Sequence, residues 1–213
     1  GEEPAPMLRK EFEVSSQIVS ARLYASALGI YNIYMNGEKV GDEYFSPGQS
    51  VYSKEVYYRA YDVTDYVKEG DNAIGVMLGH GRYDRAKATW GDTLAFCGKL
   101  VLNYEDGKKQ VIVSDSSWMG YADGPIRNDD MFLGEYYDAR VQPGFDTAEN
   151  FGKPEINTEF EGVIRPSNGA EIYLRHDLTL SPVRTYVWNG IEGAKEGEYG
   201  KVVIAAEYAD GQE

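Results

Sequence analysis

Residues Ala21–Asp62 read ARLYASALGIYNIYMNGEKVGDEYFSPGQSVYSKEVYYRAYD, and they decide the fold class. Ile18, Ser20, Arg22 and Tyr24 alternate with Val19, Ala21, Leu23 and Ala25, the period of two that marks a sheet strand. Ile30–Met35 and Glu38–Val40 flank Asn36-Gly37. That pair is a strong hairpin signal, because a type I′ turn needs positive φ at both central residues. The chain then passes a Pro47-Gly48 loop into a tyrosine-rich strand, Glu55–Tyr61. Antiparallel elements therefore follow one another with no helix between them.

The same grammar continues outward. Glu11–Val14 is a short strand, and Asp62–Asp65 caps a single helical turn. Asn72–Leu78, NAIGVML, is a buried strand, and Gly79-His80-Gly81 after it permits a sharp bend or a close backbone approach. Leu94–Tyr104 and Lys109–Ser114 make a second hairpin about Glu105-Asp106-Gly107. Phe145–Ser167 reads as loop, and Ile172–Leu174 and Val183–Trp188 as closing strands. Short strands with regular turns predict an all-β, antiparallel β-sandwich of jelly-roll, galactose-binding-like type. Its expected extent is residues 9–188; 189–213 reads as a linker and the first strand of a following β-domain, and both termini read as those of a fragment.

The charge balance excludes some partners. Thirty-five acidic against 21 basic residues give a net charge of -14, which repels phosphate backbones and anionic lipid. No apolar run reaches the ~20 residues that span a bilayer, so neither nucleic acid nor membrane is an expected partner. Cys97 is alone, which rules out an internal disulfide; in TLAFCGKLVL it reads as a small core residue.

With the strands laid out, the chain resembles the N-terminal β-sandwich domain of bacterial α-L-rhamnosidases, glycoside hydrolase family 78. The motifs are ARLY at Ala21–Tyr24, ALGIY at Ala27–Tyr31, NGEKVGD at Asn36–Asp42 and EGDNAIG at Glu69–Gly75. LGHGRY at Leu78–Tyr83, SDSSW at Ser114–Trp118 and GEYYDAR at Gly134–Arg140 continue the series. Each is weak alone; their order and spacing are specific. Two positions depart from the family pattern, which has aromatic residues where Gln49 and Arg82 stand. The resemblance implies a parent that is an inverting hydrolase, whose catalytic carboxylates lie in an (α/α)6 barrel outside these residues. The chain by itself is then expected to be inactive, with that barrel and carbohydrate containing L-rhamnose as partners. The lone cysteine and the lack of a basic, apolar leader lean towards a bacterial cytoplasm.

Three groups of residues compete for a role. In the Gly79–Asp92 loop, Trp90 and Tyr83 could stack on a sugar face while His80, Arg82 and Asp92 bond its hydroxyls; the plainer alternative has Trp90 plugging one end of the sandwich. Asn128-Asp129-Asp130 offers oxygen ligands, chiefly Asp129 and Asp130, that suit Ca²⁺, and relatives that bind rhamnose through calcium give the idea an analogy. The plainer reading is that these carboxylates solvate a loop and cap turns. Glu135, Asp138 and Arg140 could form an ion-pair group facing another domain. No cofactor is required by any of these readings. The overall expectation is a non-catalytic accessory domain, with an autonomous carbohydrate-binding module and a purely structural interdomain module as its rivals.

Overall fold

A computed structural model describes residues 3–83, 90–132, 134–141, 151–189 and 202–207. The chain divides into two compact units, Gly1–Ile172 and Tyr173–Glu213. The strands are β1 (Met7–Val14), β2 (Ile18–Leu28), β3 (Ile30–Met35), β4 (Glu38–Val40), β5 (Glu55–Asp62), β6 (Gly70–Gly79) and β7 (Ala95–Tyr104). They continue as β8 (Lys109–Val113), β9 (Met119–Tyr121), β10 (Ile126–Asp130), β11 (Gly134–Tyr137), β12 (Val163–Pro166), β13 (Arg184–Asn189) and β14 (Val202–Glu207).

The first unit holds two five-stranded sheets, ordered β4-β3-β6-β1-β9 and β12-β5-β2-β7-β8. The chain crosses from one sheet to the other at nearly every connection, as a jelly roll does. Alternation explains why the sheets face each other. Ile74, Val76 and Leu78 of β6 and Tyr31, Ile33 and Met35 of β3 share one buried cluster with Ala21, Leu23 and Ala25 of β2 and Leu100, Leu102 and Tyr104 of β7. Each fully buried aliphatic side chain contributes about 1.5–3 kcal/mol relative to exposure. Inside this core the Tyr31 hydroxyl meets that of Tyr61 at 3.0 Å and donates to the Ala25 carbonyl at 3.2 Å. Burial, reinforced by the neighbouring phenol, pushes the Tyr31 hydroxyl far above its ordinary pKa, so it stays neutral. Trp118 is also buried, its indole N–H donating to the Val113 carbonyl at 2.8 Å.

Several expectations are corrected. Val19 points to solvent, because a register shift between Ile18 and Ser20 breaks the alternation of β2 at its first residues. Cys97 is exposed: on β7 the core side belongs to Phe96, Gly98 and Leu100, and Cys97 lies between them. The turn Thr64–Tyr66 has no side-chain N-cap; instead the Asp62 carboxylate accepts from the Thr64 N–H at 3.1 Å and its hydroxyl at 2.6 Å. Part of the expected loop is strand β12, which pairs parallel to β5 in an otherwise antiparallel sheet. Pro166 is tolerated there because β12 is an edge. The run expected to close the sandwich is β13, which pairs with β14 in a separate two-stranded sheet of the second unit.

Asn36 and Gly37 have φ of 52° and 86°, as the type I′ turn requires. The Asn36 side chain reaches further, donating to the Tyr66 carbonyl and to Asn72 Oδ1, both at 2.9 Å. Asn72, itself buried, accepts from the Lys68 N–H and donates to the carbonyls of Lys68 and Gly70. Two asparagines thus tie the β3–β4 turn to the entry of β6. Asn72→Ala strands these partners at once and is expected to cost roughly 1–3 kcal/mol, measured as a lower urea midpoint with an unchanged slope.

Candidate functional site

The register places Leu28 beside Ala95 and Ile30 beside Gly79. The loops after β2 and β6 and before β3 and β7 therefore gather at one end of the sandwich. A second, smaller cluster of Leu28, Tyr52, Val56 and Tyr83 closes that end. Tyr52 is its pivot: its ring lies 5.0 Å from Tyr83, edge to face, and 6.2 Å from Trp90. Burial, then the neighbouring Tyr83, pushes the Tyr52 phenol up to about 12. Trp90 keeps 40 % of its surface in solvent while resting on this base.

The five residues expected on one ligand-facing surface are divided between two environments. Trp90, Arg82 and Asp92 are exposed; Tyr83 and His80 are buried. Tyr83 is drawn inward by its contacts with Tyr52 and the apolar end cluster. His80 is drawn inward by Asp129, whose Oδ2 accepts from the His80 backbone N–H at 2.7 Å and whose Oδ1 meets the ring Nδ1. The glycine before it has a reason: a Cβ on Gly79 would lie 2.7 Å from that carboxylate and 3.0 Å from Ile30. Arg82 places its guanidinium 5.1 Å from the Phe132 ring centroid. Asp92 accepts from the Thr93 hydroxyl at 3.1 Å. Residues 84–89 of this loop lie outside the described residues.

Asp129 and Asp130, the residues expected to offer oxygen to Ca²⁺, both make contacts within the domain. Asp129 is turned onto His80, and Asp130 accepts from the Phe132 N–H of its own turn at 2.7 Å. Among the described residues no group of three or more His, Cys, Asp or Glu is arranged to hold a metal ion.

Glu135 stands opposite Asp129 in the β10–β11 register. Burial first, then the Glu135 charge, raises the Tyr34 phenol. Asp138 and Arg140 form a local two-point pair, with Arg140 Nε and Nη2 donating at 2.8 and 2.6 Å. Of the expected trio, Asp138 and Arg140 form a fork in which Arg140 is exposed and Asp138 half-buried, and Glu135 is exposed on β11.

Tyr52 and the His80–Asp129 contact were not legible in the sequence. Tyr52 sits in an irregular stretch with no motif, and His80 and Asp129 are 49 residues apart.

A jelly-roll β-sandwich with an aromatic cluster among the loops at one end defines the class of this protein. Residues 16–167 match the family described as Alpha-L-rhamnosidase N-terminal domain. An α-L-rhamnosidase of Formosa agariphila is 38% identical over 151 residues, covering 68% of this chain and 16% of its own length. The α-L-rhamnosidase structure from Dictyoglumus thermophilum superposes with a TM-score of 0.78 at 34% identity, covering 88% of this chain and 22% of that one. The Streptomyces avermitilis α-L-rhamnosidase complexed with L-rhamnose gives 0.66 at 29% identity, covering 86% and 18%. The chain belongs to the family of α-L-rhamnosidase N-terminal domains. It spans about a sixth of the length of the Formosa relative.

The Asp138–Arg140 fork gives a pH prediction. The two hydrogen bonds from the Arg140 side chain, its backbone N–H and the charges of Arg140 and Arg127 hold the Asp138 carboxyl at about 2. A carboxylate lowered on folding adds stability that is complete above its unfolded value of about 4 and is lost as pH falls through the folded one. By NMR titration Asp138 is expected to titrate near 2, and in Arg140→Ala to move up towards the ordinary carboxylate range.

Proposed function

We propose that this domain is a non-catalytic N-terminal accessory domain of an α-L-rhamnosidase acting on terminal rhamnose of glycosides or polysaccharides. The observation that carries the reading is the match of residues 16–167 to the N-terminal domain family, in a chain that corresponds to 16% of its Formosa relative. The partner in this reading is a catalytic (α/α)6 domain of the same parent chain. Inverting hydrolysis needs an acid and a base about 6.5–9.5 Å apart across the bond, with a water between them. That pair belongs, in this reading, to the catalytic domain. In this reading the sandwich orients the catalytic domain or frames its cleft.

A second reading, an autonomous carbohydrate-binding module, draws support from Trp90. Its exposed face is backed by the buried Tyr52, the arrangement of an aromatic platform for the apolar face of a sugar. Arg82 and Asp92 are the exposed polar groups of the same loop, and L-rhamnose is the ligand this reading takes. Tyr83 and His80 act in it from behind, by holding the loop. A purely structural role shielding the catalytic domain is the third reading, and it draws on the Asp138–Arg140 fork and Glu135 as interdomain contacts.

Two measurements test these readings. The 213-residue chain is expected to release no rhamnose from an aryl α-L-rhamnoside; release would refute all three readings. Titration with millimolar L-rhamnose in a calorimeter is expected to give no heat. Binding that disappears in Trp90→Ala would instead establish the carbohydrate-binding module.

A further inference from the structure

The chain contains three Asn-Gly pairs, Asn36-Gly37, Asn168-Gly169 and Asn189-Gly190. In such a pair the asparagine side chain is open to attack by the main chain, because the glycine carries no Cβ to shield its amide nitrogen. The attack requires the carboxamide to be free to turn onto that nitrogen. The first two pairs lie among the described residues, and Gly190 does not. Asn36 and Asn168 are both exposed, so access of water does not distinguish them. Their hydrogen bonds do.

Asn36 is held by its side chain and its backbone. Its Nδ2 donates to the Tyr66 carbonyl and to Asn72 Oδ1, and its Oδ1 accepts from the Ala73 N–H, all at 2.9 Å. Its own N–H donates to the Ala73 carbonyl at 2.9 Å. The carboxamide cannot swing onto the Gly37 nitrogen without breaking three hydrogen bonds. Asn168 and Gly169, by contrast, make no hydrogen bond among the described residues. A Cβ placed on Gly169 would meet no atom within 4 Å beyond its chain neighbours. The pair lies between two fixed points. Before it, the Ser167 N–H donates to the Tyr58 carbonyl at 2.9 Å, at the end of β12. After it, Glu171 accepts from Arg59 Nη1 and the Ile172 carbonyl accepts from the Tyr44 N–H, both at 2.8 Å.

We propose that Asn168 is a site of spontaneous covalent modification, deamidation through a cyclic imide, and that the Asn36–Asn72 network protects the identical dipeptide in the β3–β4 turn. Hydroxide removes the proton of the Gly169 amide, and the nitrogen attacks Asn168 Cγ. The N–Cγ bond closes a five-membered succinimide as the Cγ–Nδ2 bond breaks. The side-chain nitrogen leaves as ammonia with a proton from water, which regenerates the hydroxide. Water then opens the ring. Addition at Cγ gives aspartate, and addition at the main-chain carbonyl gives isoaspartate, whose backbone is longer by a methylene. Either product places a new carboxylate just beyond β12, and the unbonded span absorbs the extra methylene. At Asn36 the same reaction would replace the two Nδ2 donations with an oxygen facing the Tyr66 carbonyl and Asn72 Oδ1.

Peptide mapping by mass spectrometry, with chromatographic separation of the two products, reads each site as the 213-residue chain is held in mildly alkaline buffer. Because three hydrogen bonds must open together at Asn36, Asn168 is expected to convert on the order of a hundredfold faster in the folded chain. In urea that unfolds the chain, the two sites are expected to convert at comparable rates. Asn72→Ala removes one of the three bonds and is expected to speed Asn36 on the order of fivefold, with Asn168 unchanged. A cooperative urea transition checks that this variant is folded, and the wild-type comparison stands without it. Equal rates at Asn36 and Asn168 in the folded chain overturn the protection. A folded Asn168 that stays intact while the unfolded chain converts overturns the site. An Asn36 that stays slow in urea traces its resistance to local sequence, which also overturns the protection. An unchanged Asn36 rate in folded Asn72→Ala overturns the part given to Asn72.

Discussion

Burial of the inner face of β6 against the inner faces of β2 and β7 is the interaction on which the rest of this structure depends. Ile74, Val76 and Leu78 on one side and Ala21, Leu23, Ala25, Leu100 and Leu102 on the other belong to one cluster with almost no solvent access. Because side chains alternate along a strand, fixing those faces fixes the direction of every other residue on the central strands. It also fixes where the connections emerge. The loops after β2 and β6 come out beside each other because Leu28 pairs with Ala95 and Ile30 with Gly79. The Tyr52–Tyr83–Trp90 group is a consequence of that register.

Polar contacts then decide what the loops present. The His80–Asp129 contact joins the turn after β6 to β10. The buried Asn72, with Asn36, joins the opposite end of β6 to the β3–β4 turn. Both are buried polar groups whose partners are specific, and such groups are costly to leave unmatched. Asp129, one of the two aspartates expected to offer oxygen to Ca²⁺, ties the β10–β11 hairpin to the turn after β6.

The family relationship and this chemistry point the same way without being the same argument. Membership in the N-terminal domain family rests on residues 16–167, most of which are strands and turns of the scaffold. The exposed features outside that scaffold, the Trp90 side chain and the side chains of β11, come from a loop and an outlying hairpin. Scaffold and presentation are thus separable, as is common for sandwich domains.

Much of the scaffold was legible from residues alone. Asn36-Gly37 specified its turn, because few other pairs accept two positive φ values, and the alternation from Ala21 to Ala25 specified the buried face of β2. Val19 and Cys97 escaped the reading for related reasons. A bulge or a one-residue offset reverses a side chain's face without altering composition. The parallel pairing of β12 with β5 was hidden because four residues with no alternation carry no periodic signal. The site was less legible than the scaffold: Trp90, Arg82 and Asp92 were placed outward as expected of a loop, but nothing local says that Tyr83 and His80 turn inward. Sequence by itself determined the central strands, their turns and the family resemblance, since these depend on neighbours along the chain. Only the tertiary structure decided that Tyr52 supports Trp90 and that His80 holds Asp129, since each depends on groups brought together by the packing of two sheets.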